Sequence, residues 1–274
     1  MLLRSLLIPL ALSVSVAQAA TPDFAAEPPQ DLTEAHLAEI VDFVIGNAVY
    51  ALHHQAGHMM MQRYGVASDG GELAADDFAV LTLLEPRSGA GDQTLIDAID
   101  SWMLSNHLTA SVQPEPIGPA DAHGLDAERA SNLICDMVGA NEMDFNDLAE
   151  AASLTPAARA ACAATYQKKR ALWTDGLQAI ARSPDTPPTP ITVTYDEPTG
   201  GEVAELTILH DNRVLEEVAQ RLTNKFALVP PPSIRATSCG SATSSYDADR
   251  HELVLCYELA SHHAEQILRD ISGR

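Results

Sequence analysis

The segment His53-His54-Gln55-Ala56-Gly57-His58 sets two imidazoles, His54 and His58, four residues apart. On a helix that spacing sends both side chains from one face, one turn apart, so two neutral rings can reach one metal ion. A second segment, Gly71-Glu72-Leu73-Ala74-Ala75-Asp76-Asp77-Phe78-Ala79, repeats the spacing with carboxylates at Glu72 and Asp76. A turn between antiparallel helices would bring Glu72 back over His54 and His58. Two imidazoles and one carboxylate make three protein ligands and leave a fourth position open, the arrangement of a catalytic rather than a structural zinc site. Asp76, one turn further on, would accept a hydrogen bond from the outer nitrogen of a ligand imidazole and fix its tautomer. His54, His58 and Met61 also follow an i, i+4, i+7 pattern, and imidazole with thioether suits copper as a lesser alternative.

Other candidates carry less. HxxxH alone is a weak signal in a chain with 10 histidines; the carboxylate pair after it raises its weight. His53 points about 100° away from His54, toward a helix surface or a neighbouring helix. Met59, Met60 and Met61 suit core filling. His123 is read either as a stabiliser of a tetrahedral intermediate or, more simply, as a cap on the helix around 126–138. Arg129 is expected to pair with an acidic neighbour, Glu258 to be structural, and His262 and His263 to be solvated. No serine elbow, phosphate loop or dinucleotide fingerprint occurs.

Helices must position this chemistry. Asp31 with Glu34 has capping-box spacing and predicts a helix start near Leu32. Apolar residues then recur at helical spacing from Leu37 through Leu52 and on to Tyr64, with Gly65 as the stop and Gly46 as a possible bend. A turn at 65–71 precedes a second helix at 72–84. Further helical patterns lie near 92–110, 126–139, 144–151 and 156–181, with a Pro-rich loop at 113–119. The stretch SPDTPPTP at 183–190 is a stiff linker. Beyond it, 191–195 alternates as a strand, 202–224 is helical, and 234–238 and 252–257 read as strands joined by a polar loop carrying Asp247 and Asp249. A helix at 259–271 closes the chain. The fold class is α+β: a mainly helical region over 20–182 and a small C-terminal α/β region over 191–274, packed as one domain or two.

Composition narrows the setting. A net charge of −22 repels phosphate backbones and anionic membrane surfaces, so nucleic acid is excluded as a partner. Apolar residues at 46% supply a core, and aromatics at 5% mean that Ala, Leu, Val and Ile build it. Residues 1–19 combine Arg4, an apolar run and Ala17-Gln18-Ala19, the pattern of a cleaved signal peptide. A periplasmic or secreted product with no membrane attachment after cleavage is expected. Cys135, Cys162, Cys239 and Cys256 then suggest two disulfides. Three pairings are possible; local pairing, Cys135–Cys162 and Cys239–Cys256, places one in each half and is preferred.

Taken in order, several segments resemble a bacterial family of proposed zincin-like metallopeptidases that contains a domain of unknown function. Residues 43–61, FVIGNAVYALHHQAGHMMM, resemble that family's HExxH helix, and GELAADDFA at 71–79 its following acidic segment. His123-Gly124-Leu125-Asp126-Ala127-Glu128-Arg129, Asn132/Cys135, Arg159/Cys162, Cys239-Gly240, Tyr246-Asp247 and Cys256-Tyr257-Glu258-Leu259 resemble its later motifs. The resemblance implies a zincin-like scaffold, zinc as cofactor, and hydrolysis of a peptide or protein substrate. Two positions depart from the pattern. Gln55 stands where the family has the Glu that takes a proton from the attacking water, and Thr243-Ser244-Ser245 stands where Asn-Ala-Phe is usual. The expectation is a weakly active or inactive relative. The alternative is a non-catalytic periplasmic protein that binds metal or peptide on the same scaffold.

Overall fold

The structure is a computed structural model that describes residues 32–66, 71–85, 87–110 and 122–273; for 106–110 and 122–125 only the backbone course is described. Residues 1–19, expected to be a signal peptide, Asp31 and the Pro-rich stretch at 113–119 lie outside the described residues.

Helix α1, Glu34–Tyr64, is the central element. Its cap is Thr33 rather than Asp31. The Thr33 side chain accepts from the His36 amide, and the His36 ring accepts in turn from the Thr33 amide. Histidine therefore completes a capping box that Glu or Gln usually completes. Gly65 ends the helix at φ 66°, a left-handed conformation that glycine adopts at little cost. The helix is long and apolar enough by composition to cross a membrane. Here it is the core helix: Val44, Leu52, Ala56, Met59 and Met60 are fully enclosed. Gly46 does not divide it. A Cβ there would overlap the Asp97 carboxylate, so this glycine admits the neighbouring helix.

Helices α2 (Glu72–Leu84), α3 (Gly89–Ala110) and α4 (Ala122–Ala140) come next. α5 (Asn146–Ala151) is short, and α6 (Pro156–Leu177) is capped by Thr155 with Pro156 in its first turn. The helical stretch predicted at 202–224 is two helices, α7 (Val203–Asp211) and α8 (Val214–Lys225), broken where Arg213 takes φ 55°. The chain ends in α9, Tyr257–Gly273.

Four strands form one mixed sheet in the order β1-β2-β4-β3. They are β1 (Thr192–Tyr195), β2 (Ser233–Thr237), β3 (Ser244–Asp247) and β4 (Glu252–Cys256). β1 and β2 are parallel, with Thr192 opposite Ser233, and β2 and β4 are parallel, with Ser233 opposite Glu252. β3 runs antiparallel to β4, with Ser244 opposite Leu255. β3 lies within the segment read from sequence as a polar loop, and it forms the sheet edge that meets α1.

One hydrophobic cluster runs through the molecule. It includes Leu52, Phe78, Leu95 and Leu133 from before the 183–190 linker and Leu215, Ile234, Leu253 and Ile267 from after it. Each fully enclosed Leu or Ile contributes about 1.5–3 kcal/mol relative to exposure. The disulfides are Cys135–Cys162, joining α4 to α6, and Cys239–Cys256, joining the loop after β2 to the end of β4. Two disulfides suit an oxidising compartment.

Candidate metal centre

Helical periodicity carries His54 and His58 to the face of α1 that meets α2. The two helices approach closely because residue 57 is glycine: a Cβ on Gly57 would stand 2.8 Å from both the Cα and the carbonyl oxygen of Ala75. Glu72 opens α2 behind Gly71, whose φ of 88° turns the chain back over α1. A carboxylate in the first turn also sits favourably at the positive end of that helix.

These elements bring three side chains together. His54 Nε2 is 3.0 Å from Glu72 Oε2 and 3.1 Å from His58 Nε2, and His58 Nε2 is 3.5 Å from Glu72 Oε1. His54 is buried, His58 is mostly buried, and Glu72 is half exposed at the rim. Bonds from the His54 and His58 rings hold Glu72 well below the ordinary carboxylate range and outweigh its partial burial.

Asp76 lies one turn behind Glu72 and is enclosed. Its Oδ1 is 2.7 Å from His54 Nδ1 and accepts from the Tyr50 hydroxyl at 2.6 Å and from Arg129 Nη2 at 2.7 Å. Its Oδ2 accepts from Arg129 Nε at 2.8 Å. Burial alone would raise the Asp76 pKa, but the bonds from His54 and Arg129 outweigh it and the net shift is downward. Asp76 is thus an ionised acceptor for the His54 Nδ1–H, which leaves Nε2 to face Glu72 and His58, where it donates to the Glu72 carboxylate when protonated and offers a lone pair when that proton is lost. Burial lowers the affinity of His54 for a further positive charge, yet the bonds to Asp76 and Glu72 more than restore it, and its pKa is raised overall. Arg129 also stacks on Trp102, 4.4 Å from the ring centre, and Trp102 meets Tyr50 edge-on.

Gln55 projects beside the cluster, toward β3. Its Nε2 donates to the Ser244 carbonyl and is within reach of the Ser244 hydroxyl, both at 3.2 Å. A cleft of about 550 Å³ runs along this face, bordered by His54, Gln55, His58, Glu72, Arg129 and Ser244.

The remaining candidates fall elsewhere. His123 is on α4, and its side chain is outside the described residues. Met61 packs against the hydrophobic core. His53 is not at the surface: it is fully enclosed, its Nδ1 is bonded to the Val49 carbonyl at 2.8 Å, and burial pushes its pKa down to about 4. His263 is not solvated either. It is buried on α9, held by Ser101 and Gln266, with a pKa also pushed down to about 4 by burial. Glu258 accepts from the amides of Cys239 and Gly240 and braces the disulfide loop. Lys169 bridges Asp77 and Asp136 at 2.7 and 2.8 Å, tying α6 to α2 and α4.

Tyr50 escaped the sequence reading, and Ser244 entered it only within the Thr243-Ser244-Ser245 departure, not as a partner of Gln55. Tyr50 is four residues before His54, so helical spacing alone could have placed it on the same face. Ser244 has no such signal, because its contact with Gln55 spans 189 residues.

No curated protein and no solved structure matches the chain. A family model does, over residues 12–177 and 195–271, a span that includes α1, α2, α4 and β3, the elements that build the site. The chain belongs to the family DUF4344, described as "Putative metallopeptidase".

Proposed function

We propose that His54, His58 and Glu72 hold one zinc ion, and that the cleft beside it receives a peptide or a protein segment. The observation that carries this reading is the spacing of the donor atoms, 3.0, 3.1 and 3.5 Å. Ligands about 2.0–2.1 Å from a tetrahedral zinc stand roughly 3.3 Å apart. The donor set fits as well: a lone pair on His54 Nε2, a second imidazole and a carboxylate converge, and each favours a cation between them. When bound, zinc would act as a Lewis acid toward water and a carbonyl oxygen.

The chain's own residues decide how far hydrolysis can go. Asp76 would orient His54, its bonds from His54 and Arg129 keep it ionised, and Tyr50 helps to hold it in place. Gln55 occupies the position of the general base. An amide can donate or accept a hydrogen bond but takes no proton at neutral pH, and a positioned base is worth roughly 10²–10⁴ in rate. The protein is therefore a metallopeptidase-like member with weak or absent hydrolysis. The second reading, a non-catalytic binder on the same scaffold, is favoured by Gln55 itself. We place the protein in the periplasm or outside the cell, exported through residues 1–19; its secreted form would begin near Ala20.

The test is calorimetric titration of the chelator-treated protein with zinc, together with peptidase assays. One zinc per chain is expected, with binding lost in His54→Ala and Glu72→Ala. Gln55→Glu should raise peptidase activity per bound zinc above wild type. A wild-type protein that takes up no zinc overturns the metal centre. A zinc-loaded Gln55→Glu variant with no gain overturns the view that only the base is missing.

A further inference from the structure

We infer that Gln55 is a positioning residue that ties the free edge of the sheet, β3, to the central helix across the mouth of the cleft. This deepens the metal-site reading by giving position 55 a second use, although the contact itself requires no metal.

The backbone pattern supplies the first support. The Thr243 carbonyl accepts from the Cys256 amide, the start of the β3–β4 ladder. Alternation along an antiparallel strand then turns the next carbonyl, that of Ser244, away from β4. β3 is one of the two edges of the sheet, so among the described residues this carbonyl has no strand beyond it and otherwise accepts only from the exposed Thr243 hydroxyl. Gln55 Nε2 meets it there at 3.2 Å, with Ser244 Oγ at the same distance. Gln55 is only 9% exposed and Ser244 is partly covered, so the bonds are part-buried at the wall of the cleft.

Side-chain chemistry supplies the second. Only the amide nitrogen can donate to a carbonyl, so this contact fixes the orientation of the Gln55 amide. Its Oε1 is then the atom left to face a ligand, as a fixed neutral acceptor. A carboxylate at position 55 has no hydrogen to offer the Ser244 carbonyl and would oppose it with lone pairs. Acting as a base and donating to the Ser244 carbonyl are mutually exclusive uses of this position; a carboxylate could hold β3 only by accepting from Ser244 Oγ.

The experiment is hydrogen–deuterium exchange on the chelator-treated full chain, comparing wild type with Gln55→Glu and Gln55→Met. Met keeps the volume and adds no charge, and it decides the matter should Gln55→Glu fold poorly. Loss of the tether should speed exchange across Ser244–Asp247 roughly tenfold in Gln55→Met, the scale of one net hydrogen bond, and by less in Gln55→Glu, whose carboxylate can accept from Ser244 Oγ, while α2 is unchanged. Unchanged exchange at β3 in Gln55→Met overturns the inference. Zinc titration of the same proteins separates the two readings. Faster β3 exchange in a protein that binds no zinc supports the tether and removes the metal centre; normal zinc binding with unchanged β3 exchange does the reverse.

Discussion

His54 Nδ1 and Asp76 Oδ1 lie 2.7 Å apart in a site where Asp76 is almost wholly enclosed. Arg129 grips the same carboxylate with two nitrogens, and Tyr50 adds a third donor group. The arrangement couples the buried charge of α4 to the tautomer of a histidine on α1. The orientation of the His54 ring thus depends, through Asp76, on a residue 75 positions away.

Asp76→Asn should damage both stability and metal affinity. An amide cannot accept from all of these donors, and Arg129 would be left largely buried without its counter-charge. Breaking a buried pair from one side costs about 3–5 kcal/mol. Loss of the outer partner of a ligand histidine typically costs about 10–100-fold in metal affinity. Urea unfolding of the metal-free protein reads the first effect, and zinc titration reads the second. His58→Ala is the contrast: zinc binding falls with a much smaller loss of metal-free stability. Equal stability of Asp76→Asn and wild type would mean that Arg129 does not depend on this carboxylate.

Asp97 gives a pH-dependent prediction. It is 6% exposed on α3, against Gly46. Burial raises its pKa to about 7; the Gln93 bond opposes this only in part, and Asp100 and Asp42 add to it. The unfolded value is about 3.9. Above pH 7 both states are ionised and the folded state bears the cost of the buried charge. As pH falls from 7 toward 4 the folded state takes up the proton first, so stability rises. Asp97→Asn never ionises and keeps the oxygen that Gln93 needs. Because Asp97 borders an open cleft, water screens part of the full effect. Asp97→Asn should be about 1–2 kcal/mol more stable than wild type at pH 8, and the difference should vanish near pH 4. Thermal melts at the two pH values check it; a constant difference would rule out titration of Asp97 as its source.

Local spacing made part of this legible in the sequence. His54 and His58 sit at i, i+4, as do Glu72 and Asp76, and the second helix begins at Glu72 as its residues predict. Contacts between distant segments were not legible. Arg129 was readable as a pairing residue, but its partner Asp76 lies 53 residues away. His263 looked solvated because its helix ends the chain; it is buried because Ser101 and Gln266 satisfy its ring nitrogen. β3 reads Ser-Ser-Tyr-Asp, with no apolar alternation, and is a strand because β4 offers it a ladder. At the start of α1, Thr33 prevails over Asp31 because His36 completes its box.

Gly57 was invisible as a functional residue, yet the geometry of the site turns on it. In an isolated helix Gly57→Ala would stabilise by about 1 kcal/mol. In this protein the added Cβ would meet backbone atoms of Ala75 at 2.8 Å, and backbone cannot swing aside as a flexible side chain can. α2 would have to move away from α1, carrying Glu72 from His54 and His58 and Asp76 from His54. Overpacking of this kind costs about 1–3 kcal/mol. Gly57→Ala should therefore lower stability in urea and weaken zinc binding, although residue 57 touches no metal. Gly89→Ala is the control, because a Cβ there meets nothing within 4 Å. It should leave zinc binding unchanged. If Gly57→Ala binds zinc as tightly as wild type, the approach of α1 to α2 at Ala75 is not what holds Glu72 over the two imidazoles.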